Sequence, residues 1–471
     1  MPTPSEQGPL NNLLPEIYPI IAAQLPLYAT PSTLLSLALT NRHISETALP
    51  LVYSRLILKN EADALLVLQK LEDDPLFGKV VRELHVMSDL SLETRIQSPP
   101  SDVVRRVADV ISKGYLPFIH TLGLHLSNGW YYDDRNNYEP VKGFGQLGQE
   151  FWSQIKKKCP RLRALILDGF TDDLDEPWLE DSGLLQVLGI TSFSIYVAGG
   201  TLQPSATMAF WERHPSIEYL NIASSRIRGG DCWFTSAPAD LLPKLRHLRV
   251  HWNDALLLAP ILGRVLSLSI HESINAQIPY LLRTLCSKGL PNLRSLDIGQ
   301  APSSSNKNKS IEGSLWYEDK KGVFQRATNK ASRTVFDNFM HSIVRAAPNL
   351  EEIGFHGASF PLPNFVSIAG DLNGFIHLKH IYYEEHYFGD SGIIPLFNQR
   401  DIFASQARDL FEHVPGIISI TNVATLHRPY MAARITRGED GQVVTMEVGN
   451  GYGMKIGYDD EPFPGVPYDA T

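Results

Sequence analysis

The chain has 471 residues, 43% of them hydrophobic, and its 42 basic and 51 acidic residues give a net charge of −9, which excludes an overall positive field for nucleic acid. Its N-terminus has no basic segment followed by an apolar run, and no stretch approaches 18 consecutive apolar residues, so we expect neither a secretory signal nor a membrane span. The three isolated cysteines, Cys159, Cys232 and Cys286, have no metal-binding spacing and cannot form a disulfide framework, which is typical of a cytoplasmic or nuclear protein.

The first 58 residues differ in pattern from all that follows. Residues 1–12 are rich in Pro, Ser, Gln and Asn and are predicted to be a flexible tail. Residues 13–58 predict three short helices. In the first of them, apolar residues recur at helical spacing: Leu14, Ile17, Ile21 and Leu25. Three short helices form a core too small to be stable alone, so this unit needs a neighbour or a partner.

From residue 61 the chain repeats the skeleton Leu-x-x-Leu-x-Leu, usually with Pro two residues before the first Leu. The anchors of its copies are Val81/Leu84/Val86, Ile119/Leu122/Leu124, Leu162/Leu165/Leu167, Ile217/Leu220/Ile222, Leu245/Leu248/Val250, Val265/Leu268/Ile270, Leu293/Leu296/Ile298, Leu350/Ile353/Phe355 and Leu378/Ile381/Tyr383. Several first anchors are 28 residues apart, for example residues 217 and 245. The stretch 185–195 fits less well and predicts one irregular repeat.

Helical patterns separate these copies, at 61–71, 102–113, 150–159, 207–214, 276–287, 333–347 and 401–413. Most of these helices end at a Pro, which then starts the next strand. Helix, Pro and strand in alternation predict an α/β leucine-rich-repeat solenoid over 61–423, a horseshoe with a parallel sheet and outer helices.

Two inserts and a terminal segment interrupt this pattern. The inserts, 127–148 and 301–332, are too long for plain connections, and such loops on a repeat scaffold are either binding elements or disordered. Residues 424–471 predict a β-meander with strands at 431–436, 443–448 and 454–458. We expect it to cap the exposed edge of the last repeat.

The N-terminal unit carries a motif of its own. Its residues are Leu14-Pro15-Glu16-Ile17, Ile20-Ile21, Leu25, Leu34-x-x-Leu37-x-Leu39-Thr40-Asn41-Arg42 and Leu51-x-Tyr53. This pattern resembles an F-box, of the type found in fungal F-box proteins with degenerate leucine-rich repeats.

The resemblance implies a non-catalytic subunit of a Skp–cullin–F-box ubiquitin ligase. The unit would bind a Skp-type adaptor, and through it a cullin, while the repeats choose an unknown protein substrate. The implied adaptor-binding residues are Leu14, Pro15, Ile17, Ile21, Leu25, Leu34 and Leu37. The alternative is a repeat scaffold unconnected to ubiquitin, in which residues 13–58 act only as an N-terminal cap.

Within each predicted strand the anchors point to the core, so the residues between and just after them point to the concave face. The residues predicted to bind the target there are His85, His125, Asp168, Asn221, Arg249, His251, His271, Asp297, His356, Tyr382 and Glu384. Because adjacent strands are about 4.8 Å apart, His251 and His271 become neighbours if their rungs are consecutive.

Histidine is frequent among these residues, and three interpretations follow. We favour a polar surface that binds a protein or peptide. A pH-responsive patch is the second, because imidazole titrates near neutrality. A metal site is the least favoured, because flat strand rows rarely supply converging ligands.

The sequence contains none of the enzyme motifs that we sought: a phosphate-binding Gly-x-x-x-x-Gly-Lys-Ser/Thr loop, His-Glu-x-x-His or Gly-x-Ser-x-Gly. The basic run 156–158 ends a helix, where positive charge complements the helix dipole without a nucleic-acid partner. We therefore expect no catalytic activity, no cofactor, no metal, and neither nucleic acid nor membrane as a partner.

Overall fold

A computed structural model describes the following residues of the chain: 16–24, 30–40, 42–58, 61–87, 101–125, 130–132, 138–140, 149–170, 189–197, 204–224, 232–271, 289–299, 316–318, 324–326, 343–356, 365–366, 369–383, 388–389, 392–393, 396–422 and 431–450. The helices are α1 (Ile17–Gln24), α2 (Thr30–Ala38), α3 (Arg42–Ser54), α4 (Glu61–Asp73), α5 (Pro75–Gly78), α6 (Ser101–Ser112), α7 (Gln149–Lys158), α8 (Pro204–Arg213), α9 (Trp252–Leu257), α10 (Ala369–Leu372) and α11 (Leu396–His413). None of these described helices has the length and apolar character needed to span a membrane.

The strands are β1 (Arg55–Leu58), β2 (Glu83–Met87), β3 (Thr121–His125), β4 (Trp130–Tyr132), β5 (Tyr138–Pro140), β6 (Ala164–Phe170), β7 (Ser192–Val197), β8 (Tyr219–Ser224), β9 (His247–His251), β10 (Ser267–His271), β11 (Ser295–Gly299), β12 (Trp316–Glu318), β13 (Phe324–Arg326), β14 (Glu352–His356), β15 (His380–Tyr383), β16 (Phe388–Gly389), β17 (Gly392–Ile393), β18 (Ser419–Asn422), β19 (Met431–Arg437) and β20 (Val443–Asn450).

One 14-stranded sheet organises the molecule, in the order β1-β2-β3-β6-β7-β8-β9-β10-β11-β14-β15-β18-β19-β20. Every neighbouring pair from β1 to β18 is parallel. Because the spatial order follows the chain order, each connection carries the chain back to the start of the next strand. This is the winding of a leucine-rich-repeat solenoid, and the predicted mixed α/β fold with a long parallel sheet is confirmed.

The core follows the repeated apolar positions. The register aligns the middle anchors of neighbouring strands, for example Leu248, Leu268 and Leu296 on β9, β10 and β11. All three side chains are buried, and each contributes about 1.5–3 kcal/mol by leaving water. One continuous cluster of buried side chains runs from Leu56 to Ala433, because every rung packs on the next.

Three strands of the parallel sheet go beyond the regular repeats found in the sequence. Strand β7, with Phe193 as its middle anchor, occupies the stretch predicted to be irregular. Strand β18 carries Ile420 at the middle position and the polar Asn422 in place of the third anchor. Strand β1 lies within the predicted N-terminal unit and pairs with β2. The parallel sheet therefore begins before the predicted solenoid of 61–423, and its last strand lies inside that span but beyond the last predicted set of anchors.

The outer helices lie close to their predicted positions. Helix α6 buries the face that the spacing predicts, which consists of Val103, Val107, Val110 and Ile111. The largest difference is in α11, which begins at Leu396 rather than at residue 401. The predicted helix 276–287 lies outside the described residues, and only 343–347 of the predicted helix 333–347 is described, with a helical turn at 343–346.

Helices α1 to α3, hereafter the head, have a small core of their own. Its buried members are Tyr18, Ala38, Ile44 and Ala48, and they form a cluster separate from that of the sheet. The head is nevertheless joined directly to the sheet, because α3 ends at Ser54 and β1 begins at Arg55. The boundary predicted at residue 58 thus comes after the first strand of the sheet, so the structural boundary lies between residues 54 and 55.

Two contacts lie where the head meets the sheet, one between β1 and β2 and one between α3 and α5. The Arg55 guanidinium makes a two-point ion pair with Glu83 on β2, in which Nη2 lies 2.9 Å from Oε1. The Tyr53 ring packs edge-on against Phe77 of α5, with their centroids 5.3 Å apart. The Tyr53–Phe77 contact therefore packs the head against the first repeat, and the ion pair ties the strand that follows the head to β2.

At the other end, an antiparallel hairpin of β19 and β20 lies along β18. Gly441 in its turn has φ of 78°, a left-handed conformation that favours glycine. Helix α11 holds the hairpin through Arg400, whose Nη2 donates to the carbonyl oxygen of Val448 at 2.7 Å. The third predicted strand, 454–458, lies outside the described residues.

Candidate interaction surface

Two rows of residues, here called the polar face, lie on the side of the sheet opposite the anchors. The first row reads Arg55, Glu83, Thr121, Ala164, Ser192, Tyr219, His247, Ser267, Ser295, Glu352, His380 and Ser419. The second row reads Ile57, His85, Gly123, Ile166, Ser194, Asn221, Arg249, Ser269, Asp297, Gly354, Tyr382 and Thr421.

Most of the predicted target-binding side chains that the structure describes are buried rather than exposed. The buried ones are His85, Asn221, His251 and Asp297, and the half-buried ones are Arg249 and Tyr382. A neighbouring strand lies about 4.8 Å away on either side, so adjacent side chains cover the small and medium ones. This corrects the expectation of an exposed histidine row. The polar face instead offers its larger half-buried side chains, which include Tyr219, His247, Arg249, Glu352, His380 and Tyr382.

The remaining predicted residues stand at the ends of strands. Only the backbone is described for His125, Asp168, His271 and His356, and Glu384 lies outside the described residues. The register pairs His251 with His271. Their strands are therefore consecutive, which is the condition under which the sequence predicted the two residues to be neighbours. Within the described ranges, no group of three or more His, Cys, Asp or Glu residues is arranged to hold a metal ion.

A glycine makes room for one buried acid of the polar face. The Ser269 hydroxyl donates to Oδ2 of Asp297 at 2.8 Å. The other oxygen of Asp297 leans over Gly354 on the next strand, where an added Cβ would lie only 2.7 Å from Oδ1. Gly354 is therefore required for this orientation of Asp297, although the two residues are far apart in the sequence.

Three residues beside Gly354 form what we call the Glu352 patch: Glu352, His380 and Tyr382. Burial raises the pKa of Glu352, and a hydrogen bond from Ser295 partly offsets this rise. Burial also raises the pKa of Tyr382, with a further contribution from the negative charge of Glu352. Both effects favour the neutral forms of these groups.

His380, like Glu352 and Tyr382, has a pKa shifted toward its neutral form. Burial lowers the pKa of His380, and the positive charges of Lys379 and Arg434 lower it further, so that the neutral imidazole is favoured. Its Nδ1 lies 2.6 Å from the Ser419 hydroxyl. The Glu352 patch is therefore a half-buried cluster of hydrogen-bonding groups, which suits the polar backbone of an extended peptide.

A fully buried carboxylate lies behind the end of β9. Asp254 of α9 accepts hydrogen bonds at Oδ1 from the backbone N–H groups of Trp233, at 2.8 Å, and Phe234, at 3.2 Å. Burial raises the pKa of Asp254 to about 6, and the charge of His251 partly opposes that rise. Asp254 thus holds the connection between β8 and β9 in place.

Comparisons with known proteins give a distant similarity to solved structures. No family model matches the chain, and no curated protein matches it. Among solved structures, the chain is similar to the leucine-rich-repeat-containing protein LegL7 from Legionella pneumophila. The two share 12% sequence identity over 78% of this chain and 86% of that chain, with a TM-score of 0.35. This TM-score is too low to support a conclusion about the chain. Its description as a leucine-rich-repeat solenoid therefore depends on the order and register of its own strands.

The head presents a second candidate surface, which is apolar. Ile20 of α1 is 63% exposed, and Leu35 and Leu39, one helical turn apart at α2, are 45% and 79% exposed. Leu34 is only 1% exposed, so its predicted role as a surface contact does not fit its burial. Motif matching had selected Leu34, whereas the helical periodicity of α2 turns positions 34 and 38 inward and 35 and 39 outward.

The other predicted adaptor-binding residues divide into two groups. Ile17, Ile21 and Leu37 are half-buried. Leu14, Pro15 and Leu25 lie outside the described residues. The exposed apolar surface of the head is therefore carried by Ile20 and Leu39, which belong to the F-box-like pattern but were not assigned a contact, and by Leu35, which the pattern leaves open.

Two acids of the site escaped the sequence analysis. Glu352 stands two residues before Gly354, in the first row, and reading every alternate strand position instead of only those after an anchor would have found it. Asp254 offered a weaker signal, an acid in the first turn of a short helix directly after a rung. Such an acid is ordinarily explained by the helix dipole, which gives no hint of its burial.

Proposed function

We propose that the chain is a non-catalytic protein-interaction subunit that links a target protein to a Skp–cullin–F-box ubiquitin ligase. The head docks on a Skp-type adaptor, and the polar face and loops of the repeats bind the target. The observation that carries the proposal is the exposed apolar surface of Ile20, Leu35 and Leu39 on a head with its own core.

The physical support comes from how the head uses its apolar residues. A helical cap buries its apolar side chains against the first repeat, but the buried residues of the head form a cluster separate from the sheet. Ile20, Leu35 and Leu39 face solvent instead, and Leu35 and Leu39, one helical turn apart, form an apolar pair of the kind found on protein-binding surfaces. The packing of Tyr53 of α3 on Phe77 of α5 would help to hold a bound adaptor in a defined orientation to the polar face.

One observation favours the alternative function, a repeat scaffold capped by the head. Strand β1 pairs with β2 in the main sheet, so the N-terminal segment does cover the first edge of the sheet. The two roles fall on different residues, because β1 covers the edge whereas α1 and α2 carry the exposed apolar side chains.

Substituting the head surface tests the proposal. The variant Ile20→Asp/Leu39→Asp changes two exposed side chains and should fold, but it should lose binding to a purified Skp-type adaptor in a pull-down. Two buried interface charges are expected to weaken such a complex by at least about a hundredfold. The control is Leu66→Asp on α4, an equally apolar residue that is 70% exposed and outside the head.

The unaltered chain and the Leu66→Asp control should both bind the adaptor. Absence of binding by the unaltered chain would rule out the ligase role and leave the scaffold alternative. Equal loss in the head variant and the control would show that the assay responds to surface charge in general.

A further inference from the structure

Two arginines lie over one aromatic ring where β2, β3 and β6 begin, and a third directly precedes β6. The guanidinium carbon of Arg161 lies 4.5 Å from the centroid of the Phe118 ring, and that of Arg82 lies 5.3 Å from it. Arg163 stands one rung from His120, whose carbonyl oxygen accepts its N–H at 2.8 Å. The N–H of His120 in turn donates to the carbonyl oxygen of Arg82 at 2.6 Å. We call these five residues the arginine rim.

The positive field of the arginine rim acts on the histidine at its centre. Burial lowers the pKa of His120, and the charges of Arg82, Arg163 and Arg161 lower it further. The acid that acts in the opposite direction is Glu83, which is already paired with Arg55. The rim is thus locally positive on a chain whose net charge is −9.

The arginines of the rim have different tasks. Arg82 is structural, because its Nη1 donates to the carbonyl oxygens of Lys79 at 2.6 Å and Val80 at 3.1 Å. Arg161 and Arg163 are exposed, and no described carboxylate lies within 4 Å of either guanidinium. The contact with Phe118 positions the exposed Arg161 guanidinium, whose fork of N–H donors can bind an anion.

The same positions of other rungs lack this arrangement. Arg294, which directly precedes β11, is paired with Glu351 at 3.3 Å. Lys244 and Arg246 occupy the turn before β9 in the pattern of Arg161 and Arg163, but no described aromatic ring is recorded within cation–π distance of them. The cluster is therefore a local feature and does not follow from the repeat itself.

We propose that the arginine rim binds an acidic segment of a polypeptide partner, with Arg161 and Arg163 holding carboxylates and Phe118 receiving an apolar side chain. Its three rungs span about 10 Å, the length of about three residues of an extended peptide. Nucleic-acid sites commonly use six to ten phosphate contacts, a longer track than the rim provides. This inference does not depend on the adaptor-binding role of the head.

Fluorescence anisotropy on the full chain tests the rim directly. The probe is a labelled twelve-residue peptide with four glutamates around one leucine, and its control replaces the glutamates by glutamines. We expect the acidic peptide to bind and the glutamine peptide not to. The variant Arg161→Glu/Arg163→Glu should lower the affinity at least about tenfold, whereas Lys244→Glu/Arg246→Glu should change it less than about twofold.

Two further variants keep the test decisive if the charge reversal disturbs folding. Arg161→Lys/Arg163→Lys preserves charge but not the fork of donors, and should weaken binding about threefold. Phe118→Leu removes the ring and should reduce the preference for the leucine-containing peptide over an all-polar acidic one.

Several results would overturn the proposal. Equal losses in the 161/163 and 244/246 pairs would show non-specific attraction. Tighter binding of a single-stranded oligonucleotide or of anionic vesicles than of the peptide would assign the rim to a different class of partner. Peptide binding that appears only after residues 172–181, which hold six acids, are replaced by serines would identify that segment of the same chain as the occupant.

Discussion

The variant Asp254→Ala should be among the least stable single-residue variants of this chain. Removing the carboxylate leaves the backbone N–H groups of Trp233 and Phe234 buried without their acceptor. Each unsatisfied buried donor costs about 1–3 kcal/mol, so we expect a loss of roughly 2–4 kcal/mol. Urea unfolding followed by tryptophan fluorescence measures this loss.

The reason for so large an effect is the backbone that Asp254 supports. Residues 232–246 connect β8 to β9 without a helix in their described part, so their N–H groups have no intrahelical partner. The carbonyl oxygen of Trp233 is satisfied from the other side, by the Thr207 hydroxyl at 2.6 Å. Without Asp254, the segment around Trp233 keeps its hydrogen bond from Thr207 but loses its hydrogen bonds to α9.

The conservative variant Asp254→Asn separates the hydrogen bonds from the charge. Because the folded-state pKa of about 6 lies above the ordinary value of 3.8, protonation of Asp254 favours the folded state. That stabilisation is complete below about pH 4 and is lost as the pH rises through about 6, by up to about 3 kcal/mol.

Asn keeps an acceptor for the two N–H groups and carries no charge. We expect Asp254→Asn to be at least as stable as the natural chain at pH 7 and to lose this pH dependence. If Asp254→Asn were as unstable as Asp254→Ala at pH 7, the carboxylate charge itself would be the stabilising element. That result would contradict the role assigned to the hydrogen bonds.

Gly78→Ala should cause the second large loss of stability. A Cβ at position 78 would overlap the backbone carbonyl oxygen of Tyr115, in the turn after α6. A backbone group cannot rotate away as a side chain can, so the short helix α5 would have to move. We expect a cost of about 3 kcal/mol, at the upper end of overpacking effects, measured by thermal and urea unfolding.

Gly370→Ala is the matched control for this variant. Gly370 also lies in a short helix, but an added Cβ meets nothing within 4 Å. Alanine there should be neutral or stabilise the chain by up to about 1 kcal/mol. Similar stability of the two variants would contradict the close packing of α5 on the turn at Tyr115, and with it the fixed position of Phe77 against Tyr53.

The repeat scaffold was readable because anchors such as Leu248, Leu268 and Leu296 need only be apolar and correctly spaced. The missed rungs break one of these conditions. Strand β18 places Asn422 where an apolar anchor is expected, and strand β1 was hidden inside a segment that resembles a different motif. Sequence spacing therefore predicts a strand of the repeat only where all three anchors are apolar and the residues do not also belong to another motif.

The polar face was harder to predict because its geometry depends on contacts across rungs. Asp297 and Gly354 are 57 residues apart, yet the absence of a side chain at Gly354 decides where Asp297 points. The alternation of side chains along a strand correctly placed His85 and Asn221 on the polar face, but it did not predict that they are buried. Their burial depends on residues of neighbouring strands, whose distance along the chain varies from one repeat to the next. Sequence spacing therefore predicted which residues form the rows of the polar face, but not which of their side chains are accessible to a partner.

A chain that begins at Arg55 offers the most direct test of the proposed division between the head and the repeats. It keeps β1 and the β1–β2 pairing, and removes α1 to α3 with the residues before them, including the Ser54 carbonyl oxygen that accepts the N–H of Arg82 at 2.7 Å. Calorimetry measures the binding of a purified Skp-type adaptor. Circular dichroism and thermal unfolding show whether the shortened chain is folded. We expect the shortened chain to fold cooperatively and to show no adaptor binding, while the full chain binds. Retained binding, or collapse of the fold without the head, would contradict the assignment of the head as a docking module.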